Sequence, residues 1–238
     1  MIKSWDYINE YKLLKNKANF YLYDDYHSHF HPEEDFTSYN KWPELLAEKL
    51  DMQCINLGKS GGGNEYISNS IIDQIETMDK SRIGLVIPAW SQCRRRDDQR
   101  YYSRAKKTTW RHELYDLFGD TRYWIRKSLK TYYFFQIYCD YYNIPYKQFQ
   151  MIEMFKDNIE IDFQEEKEEL DIFTESEMYY KKLKNFIGET TPILSLQDAL
   201  TGNRRDTRKV EQFCISSEDW HPSKNGHRLM AEYIYENI

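Results

Sequence analysis

The longest apolar run of this chain is the feature that most constrains its fold, and it spans residues 83–90 with the letters IGLVIPAW. A strand that is apolar along its whole length must be covered on both faces, which is typical of a parallel sheet flanked by crossover helices. Three shorter runs predict further strands, over 19–23, 54–57 and 146–151. The pattern therefore predicts an α/β fold with a mainly parallel central sheet.

Segments with helical periodicity separate these predicted strands. Pro43 suits the first turn of a helix over 42–50, and isoleucines recur at helical spacing over 66–78. Two more helices are predicted over 121–142, which is rich in aromatic residues, and over 225–236. With no repeat and no low-complexity linker, this alternation favours a single domain over 1–238. Ligands of such sheets bind beyond the carboxyl ends of the strands.

The composition limits which binding partners and which cellular compartment we expect for this chain. The formal net charge is −6, so the chain as a whole does not attract nucleic acid or an anionic membrane. No stretch approaches the roughly 20 apolar residues of a membrane span, and the N-terminus lacks the pattern of a signal peptide. The four cysteines show no zinc-site spacing, so we expect buried free thiols and a cytoplasmic location.

Two charged segments interrupt the α/β pattern. Residues 94–112 are basic with aromatic residues interleaved, and we expect a loop or an exposed insertion there. Residues 153–180 are acidic and predict a solvated helical segment. We favour the interpretation that the basic and the acidic segment pair with each other, within one chain or between subunits of an oligomer. Single-stranded nucleic acid is a less favoured partner of residues 94–111, where cations could bind phosphates and aromatic rings could stack on bases.

Three consecutive glycines follow the second predicted strand. Gly61, Gly62 and Gly63 directly precede Asn64. Glycines at the end of a strand let a ligand approach the backbone closely, so this turn is a candidate ligand-binding segment; the alternative is an inert, strained turn. The turn differs from a phosphate-binding P-loop, because its Lys-Ser pair precedes the glycines instead of following them.

A second candidate segment lies near the C-terminus, where Asp219, His221 and Pro222 precede the last predicted helix. Pro222 restricts the backbone of His221 to extended geometry. A nearby carboxylate can orient an imidazole and stabilise its protonated form, as it does in a serine-type triad. His221 is therefore a candidate base or ligand-binding residue, with a purely structural role as the alternative. His227 is predicted to be structural.

Together these segments resemble the SGNH/GDSL hydrolase superfamily, in the divergent form common in phage-type sequences. The resemblance covers most of the chain in order, with 19–29 as the first block, 55–64 as the second, 85–91 as the third and 219–222 as the last. It implies a three-layer αβα sandwich of the SGNH and flavodoxin-like kind. It also implies hydrolysis of an ester, acyl or related bond in a small-molecule or acylated substrate, without a cofactor.

The resemblance assigns roles to single residues. His221 is implied as the general base, oriented by Asp219 or by Glu218, which lies three residues before it. The groups implied to bind the oxyanion or the substrate come from the glycine turn and from the end of the third predicted strand: Gly61, Gly62, Asn64 and Ser91. Arg94 follows the same strand closely enough to hold an anionic group of the substrate.

The first block departs from the Gly-Asp-Ser pattern of the family. Here it reads Asp24, Asp25 and Tyr26, so Tyr26 stands where the family has its nucleophilic serine, and Asp25 would shape the turn. Ser28 is the alternative nucleophile. A shift of two residues moves a hydroxyl several ångströms along an extended chain, at roughly 3.3 Å per residue. Catalysis is sensitive to a displacement of about 1 Å.

Two alternatives to an active serine-type hydrolase stay open. Loss of the serine favours a catalytically inactive SGNH-like fold that binds a ligand or a partner in the same pocket. A metal-dependent hydrolase or phosphodiesterase would use His27, His29 and His31, which alternate and so share one face of an extended chain. The simpler interpretation of these three histidines is an exposed polar loop without a metal.

Overall fold

A computed structural model describes the backbone of residues 18–21, 39–59, 61–102, 107–113, 121–152, 154, 177–202, 207–215 and 221–238. The strands are β1 Ala18–Tyr21, β2 Gln53–Asn56, β3 Ile83–Ile87, β4 Ala89–Trp90, β5 Arg96–Tyr102, β6 Lys107–Glu113 and β7 Phe149–Gln150. The helices are α1 Trp42–Lys49, α2 Asn64–Glu76, α3 Thr121–Tyr141, α4 Glu177–Tyr180, α5 Leu196–Thr201, α6 Thr207–Phe213 and α7 Lys224–Glu236, with a 3-10 turn at Lys80–Arg82.

The central sheet is parallel throughout its described pairings. β1 lies between β2 and β3, and β4 pairs with β7. Single parallel bridges, Val86 to Tyr146 and Gln148 to Phe186, connect these pairs and add a further segment at the edge. The resulting strand order has the second strand at one edge and the first strand beside it, which is the order of a flavodoxin-like doubly wound sheet. The predicted α/β fold with a parallel sheet is confirmed.

The apolar run 83–90 forms two strands where the sequence predicts one. Pro88 separates β3 from β4 because proline has no N–H to donate to the ladder. Pairing with the neighbouring segment nevertheless continues past it, since the Phe149 N–H donates to the Pro88 carbonyl over 3.3 Å. Further along, the Met151 N–H donates to the Trp90 carbonyl over 2.8 Å. The strand predicted over 146–151 is thus hydrogen-bonded well beyond the two residues of β7.

Two apolar clusters pack against the strands. One combines Val86 and Trp90 with the buried faces of α2 and α3, and the other combines Ile87 and Ala89 with α1 and α7. Successive residues of a strand point to opposite faces, so Val86 and Ile87 belong to different clusters. The prediction that residues 83–90 are covered on both sides is confirmed. The predicted helices are confirmed too, with starts displaced by no more than two residues.

Residues 96–113 form an antiparallel hairpin where the sequence analysis expects a loop or an exposed insertion. β5 and β6 pair from Arg96 opposite Glu113 to Tyr102 opposite Lys107. Tyrosine, threonine and tryptophan in both strands favour extended structure, but the high density of charge obscured that preference. The acidic helical segment predicted over 153–180 lies mostly outside the described residues, which include Met154 and the short helix α4.

All four cysteines are free thiols, as predicted. Cys93, Cys139 and Cys214 are buried, and Cys54 is half-buried. Burial raises the pKa of the Cys139 thiol above its ordinary value, which keeps it protonated and unreactive. Within the described part of the chain, every helix is too short or too polar to cross a membrane.

Candidate active site

The glycine turn leads directly from β2 into the first turn of α2. Gly61 has a φ of 73°, in the left-handed region that favours glycine. The Gly62 N–H donates to the Lys59 carbonyl over 3.1 Å and closes the turn. A Cβ on Gly63 would lie 2.7 Å from a carboxylate oxygen of Asp97. The sequence therefore requires glycine at two points, for backbone conformation at Gly61 and for close packing at Gly63.

Asp97 of the hairpin caps the start of α2. Its two carboxylate oxygens accept from the Gly63 N–H over 2.9 Å and from the Tyr66 N–H over 2.8 Å. Arg95 adds a third link by donating from Nη1 to the Gly62 carbonyl over 3.2 Å. Asp97 is 8% exposed. The positive end of the helix dipole is therefore occupied by a carboxylate of the chain itself, which lowers its attraction for an anionic substrate at that point.

Asn64 joins the glycine turn to the end of β4. Its Oδ1 accepts from the Ser91 N–H over 2.8 Å, and its Nδ2 donates to the Ser91 carbonyl over 3.2 Å. The same Nδ2 donates to Ser128 Oγ of α3 over 3.0 Å. The sequence predicts that Asn64 holds the oxyanion, but in the structure its amide makes the three hydrogen bonds just described. Asn64 therefore serves first to position Ser91.

Ser91 has a fixed backbone and a buried hydroxyl. Gln150 Nε2 donates to the Ser91 carbonyl over 2.8 Å, and Gln150 Oε1 accepts from the Tyr132 hydroxyl over 2.9 Å. Tyr132 stacks on Trp90 with 4.2 Å between ring centroids. Among the described residues the Ser91 Oγ has no hydrogen-bond partner, although its residue is only 5% exposed. Burying a hydroxyl without a hydrogen bond costs about 1–3 kcal/mol, so a ligand that hydrogen-bonds to the Ser91 hydroxyl would recover that free energy.

Arg94 lies four residues beyond the end of β4. Its guanidinium stands over the ring of Trp124 in α3, with 4.5 Å from Cζ to the centroid. Stacking of this kind orients a guanidinium. The predicted role of Arg94 toward an anionic substrate group stays a prediction.

The His221 loop is held by its own main chain. The Ile215 N–H donates to the His221 carbonyl over 2.9 Å, and the Ser223 N–H donates to the Phe213 carbonyl over 2.8 Å. A Cβ on Gly226 would lie 2.1 Å from the Phe213 carbonyl oxygen, so glycine permits this close approach. Ser223 then caps α7 by accepting from the Gly226 N–H over 3.1 Å. The half-buried His221 is thereby presented from a fixed backbone.

Contacts between α7 and α1 place the His221 loop toward the carboxyl edge of the sheet. His227, in the first turn of α7, accepts from the Trp42 N–H at Nδ1 over 3.4 Å. α1 follows the carboxyl end of β1, so its first residue lies at that edge, and the start of α7 is held against it. His227 is 2% exposed, and burial with the nearby Lys41 charge lowers its pKa to about 3. A neutral, buried imidazole agrees with the predicted structural role of His227.

The described residues thus contain two halves of the predicted site. The structure brings Gly61, Gly62, Asn64 and Ser91 together, and it fixes the backbone of His221 on a separate segment. Eight predicted residues lie outside the described part of the chain: Asp25, Tyr26, Ser28, Glu218, Asp219, His27, His29 and His31. Among the residues that are described, no three His, Cys, Asp or Glu side chains converge as metal ligands would.

Three polar residues of this region were not predicted, namely Asp97, Ser128 and Gln150. Ser128 and Gln150 stand inside apolar patterns, where a single polar residue gives little signal of its partner. Asp97 carried a usable signal, because it is acidic within the basic run RRRDDQR. A buried carboxylate facing a helix N-terminus is the ordinary reason for such an exception.

Comparison with known proteins supports the fold only. No protein-family profile and no curated protein matches the chain. Among solved structures, one assigned as a lipolytic protein of the G-D-S-L family from Desulfitobacterium hafniense DCB-2 superposes with a TM-score of 0.50 at 15% identity. The match covers 93% of this chain and 98% of that one. The chain therefore has an α/β fold similar to that of the G-D-S-L family protein.

Proposed function

We propose that this protein is an SGNH-like hydrolase of an ester, acyl or related bond, with His221 as general base. It would be a divergent, phage-type member of that superfamily, a single domain built as a three-layer αβα sandwich. The observation that carries the proposal is the pairing of Asn64 with Ser91, which fixes the glycine turn beside the end of β4. The family builds its oxyanion site from these two segments. The His221 loop starts from the same edge of the sheet.

The oxyanion donors in this proposal are the Gly61 backbone N–H and the Ser91 hydroxyl. The left-handed Gly61 turns the backbone at the strand end, and the Ser91 Oγ is buried without a partner among the described residues. Donors that are already fixed stabilise a developing negative charge without reorganising. Gly62 shapes the turn, and Asn64 acts as a positioning residue for Ser91.

The reaction divides into acylation and deacylation, and each half moves a proton onto His221 and off it again. A hydroxyl, from Ser28 or from Tyr26, attacks the carbonyl carbon while its proton moves to the imidazole, which Asp219 or Glu218 orients. The imidazolium then gives that proton to the leaving alcohol or amine. Water, deprotonated by the same imidazole, then attacks the acyl-enzyme carbonyl, and the imidazolium returns that proton to the Ser28 or Tyr26 oxygen as the acyl–oxygen bond breaks and the acid leaves. Tyrosine has an ordinary pKa near 10, so Tyr26 would be protonated at neutral pH and would also require activation by His221.

Labelling with a fluorophosphonate probe tests the nucleophile directly. We expect the probe to modify Ser28 or Tyr26, as located by peptide mass spectrometry, and His221→Ala to abolish the labelling. His227→Gln is the matched control, since it changes a histidine that the structure assigns to packing against Trp42. A wild-type protein that labels at neither hydroxyl would exclude covalent catalysis through this block.

A ligand-binding protein without catalysis is the second candidate. One observation favours it: the α2 N-terminus and the Asn64 amide, which could both serve a reaction, are bonded within the chain. This candidate predicts that His221→Ala leaves biological activity intact while a bulky residue at Gly61 or Gly62 abolishes it.

The metal-dependent alternative through His27, His29 and His31 predicts stoichiometric metal in protein purified without chelator.

A further inference from the structure

The outer face of α3 carries a cationic groove that the proposed hydrolase does not use. The groove has a volume of about 570 Å³ and is lined along the helix by Tyr123, Arg126, Lys127, Lys130 and Phe134, among others. That volume lies within the range of ligand-binding pockets. The groove contrasts with the chain as a whole, which has a net charge of −6.

The cations of this groove are incompletely neutralised. Lys127 forms an ion pair with Glu65 of α2 over 3.2 Å. Within the described residues, Arg126 and Lys130 have no such carboxylate partner, and they lie four residues apart on the same helix face. Like charges at this spacing repel each other and destabilise a helix. An anion bound between Arg126 and Lys130 would relieve that repulsion.

Aromatic side chains stand at both ends of the groove. Tyr123 is 51% exposed and Phe134 is 61% exposed, which is unusual for such large rings. Tyr123 and Phe134 are eleven positions apart, which corresponds to about 16 Å along the helix, and Arg126 and Lys130 are separated by about 6 Å. Cations flanked by exposed rings are the arrangement by which proteins hold single strands, with charges on phosphates and rings on bases.

We propose that the α3 groove binds single-stranded nucleic acid, with phosphates at Arg126 and Lys130 and bases stacked on Tyr123 and Phe134. A flat membrane fits a concave groove poorly, and a sulfated glycan offers charge without the planar π-surface that two exposed rings favour. The site is separate from the basic hairpin strands, and the proposal holds whether or not the protein hydrolyses an ester.

Fluorescence anisotropy with a short labelled oligothymidylate tests the proposal on the full chain. Two neutralised phosphates predict that log K falls with log salt at a slope of about −1.4 or steeper. The double variant Arg126→Gln/Lys130→Gln should bind about tenfold more weakly at low salt and reduce the slope by about 1.4. Phe134→Ala should weaken binding by about tenfold, through lost stacking.

A charge-matched control is Lys49→Gln/Arg228→Gln, which removes two exposed cations from α1 and α7 and should leave binding unchanged. Three results would overturn the proposal. The first is no binding of oligothymidylate at low salt by folded wild-type protein. The second is equal loss in the groove variant and the control variant. The third is a heparin oligosaccharide that binds more tightly than the oligothymidylate and is unaffected by Phe134→Ala.

Discussion

The helices α2 and α7 both begin next to the candidate site, but they are capped in different ways. α7 is capped by Ser223, which lies directly before it and accepts from the Gly226 N–H. The N-cap position of α2 is Gly63, which has no side chain to accept, and the carboxylate that caps the helix comes from Asp97, 34 residues further along the chain. The start of α7, and with it the His221 loop, therefore depends on local sequence. The start of α2, and with it the glycine turn, depends on the docked hairpin.

The largest expected effect on stability is at the start of α7. Gly226→Ala would place a Cβ 2.1 Å from the Phe213 carbonyl oxygen, and a backbone atom cannot move aside as a side-chain tip can. We expect a loss of about 3 kcal/mol in the free energy of unfolding, measured by urea denaturation.

Gly202→Ala is the control for that substitution. Gly202 has a φ of 64° but nothing within 4 Å of its Cβ position, so only backbone strain of about 1 kcal/mol is expected. Equal losses in the two variants would show that the contact with Phe213 does not govern the start of α7.

Low pH should reduce the free energy of unfolding through His227, which lies in the first turn of α7. Its folded-state pKa is lowered to about 3, below the ordinary value of 6.5, so the unfolded chain binds the proton more readily. Stability is then full above pH 6.5 and falls by about 1.4 kcal/mol per pH unit as the pH drops toward 3. Denaturation at pH 7 and pH 4.5 measures this loss, and His227→Gln should reduce it. An unchanged pH dependence in that variant would contradict a buried, neutral His227.

Asp97→Ala is expected to cost about 2 kcal/mol, because it removes two charge-assisted bonds at a buried helix start. Amide hydrogen exchange gives the sharper measurement. The Gly63 and Tyr66 amides should exchange faster in this variant, while the Gly226 amide keeps its wild-type rate. Asp97→Asn, which retains one acceptor, should fall between the two. Equal protection in Asp97→Ala would mean that the hairpin does not hold the glycine turn.

Ser223→Ala should have the smallest effect, about 1 kcal/mol, since it removes one neutral cap bond on a partly exposed helix end. Its exchange pattern should be the reverse of that of Asp97→Ala, with a faster Gly226 amide and unchanged Gly63 and Tyr66 amides. Faster exchange at both helix starts would show that the two caps are coupled.

The same contrast explains what could be predicted from the sequence. The predicted start of the last helix, Asn225, lies within one residue of the observed Lys224, because Pro222 and the cap Ser223 directly precede it in the chain. The start of α2 was predicted two residues late, because Gly63 gives no cap signal and Asp97 is remote. The hairpin itself was missed, since its charge density conceals the strand preference of its aromatic residues and threonines.

The candidate site divides in the same manner. His221 and the glycines can be singled out from the sequence because proline restricts the residue before it and glycine permits conformations closed to other residues. The bonds that position Ser91 come from three separate elements, through Asn64, Gln150 and the Ser128 contact of Asn64, and no single segment encodes such convergence.

The most direct test of the proposed chemistry is kcat/KM for a p-nitrophenyl ester in wild type and His221→Ala. The main-chain bonds of Ile215 and Ser223 that hold the loop are kept in His221→Ala, and the unfolding midpoint of both proteins is measured beside kcat/KM. We predict measurable turnover in wild type and a loss of about 100-fold or more in the variant, as expected for a general base. Equal kcat/KM in the two proteins, or a wild type no faster than buffer, would contradict the assignment of His221.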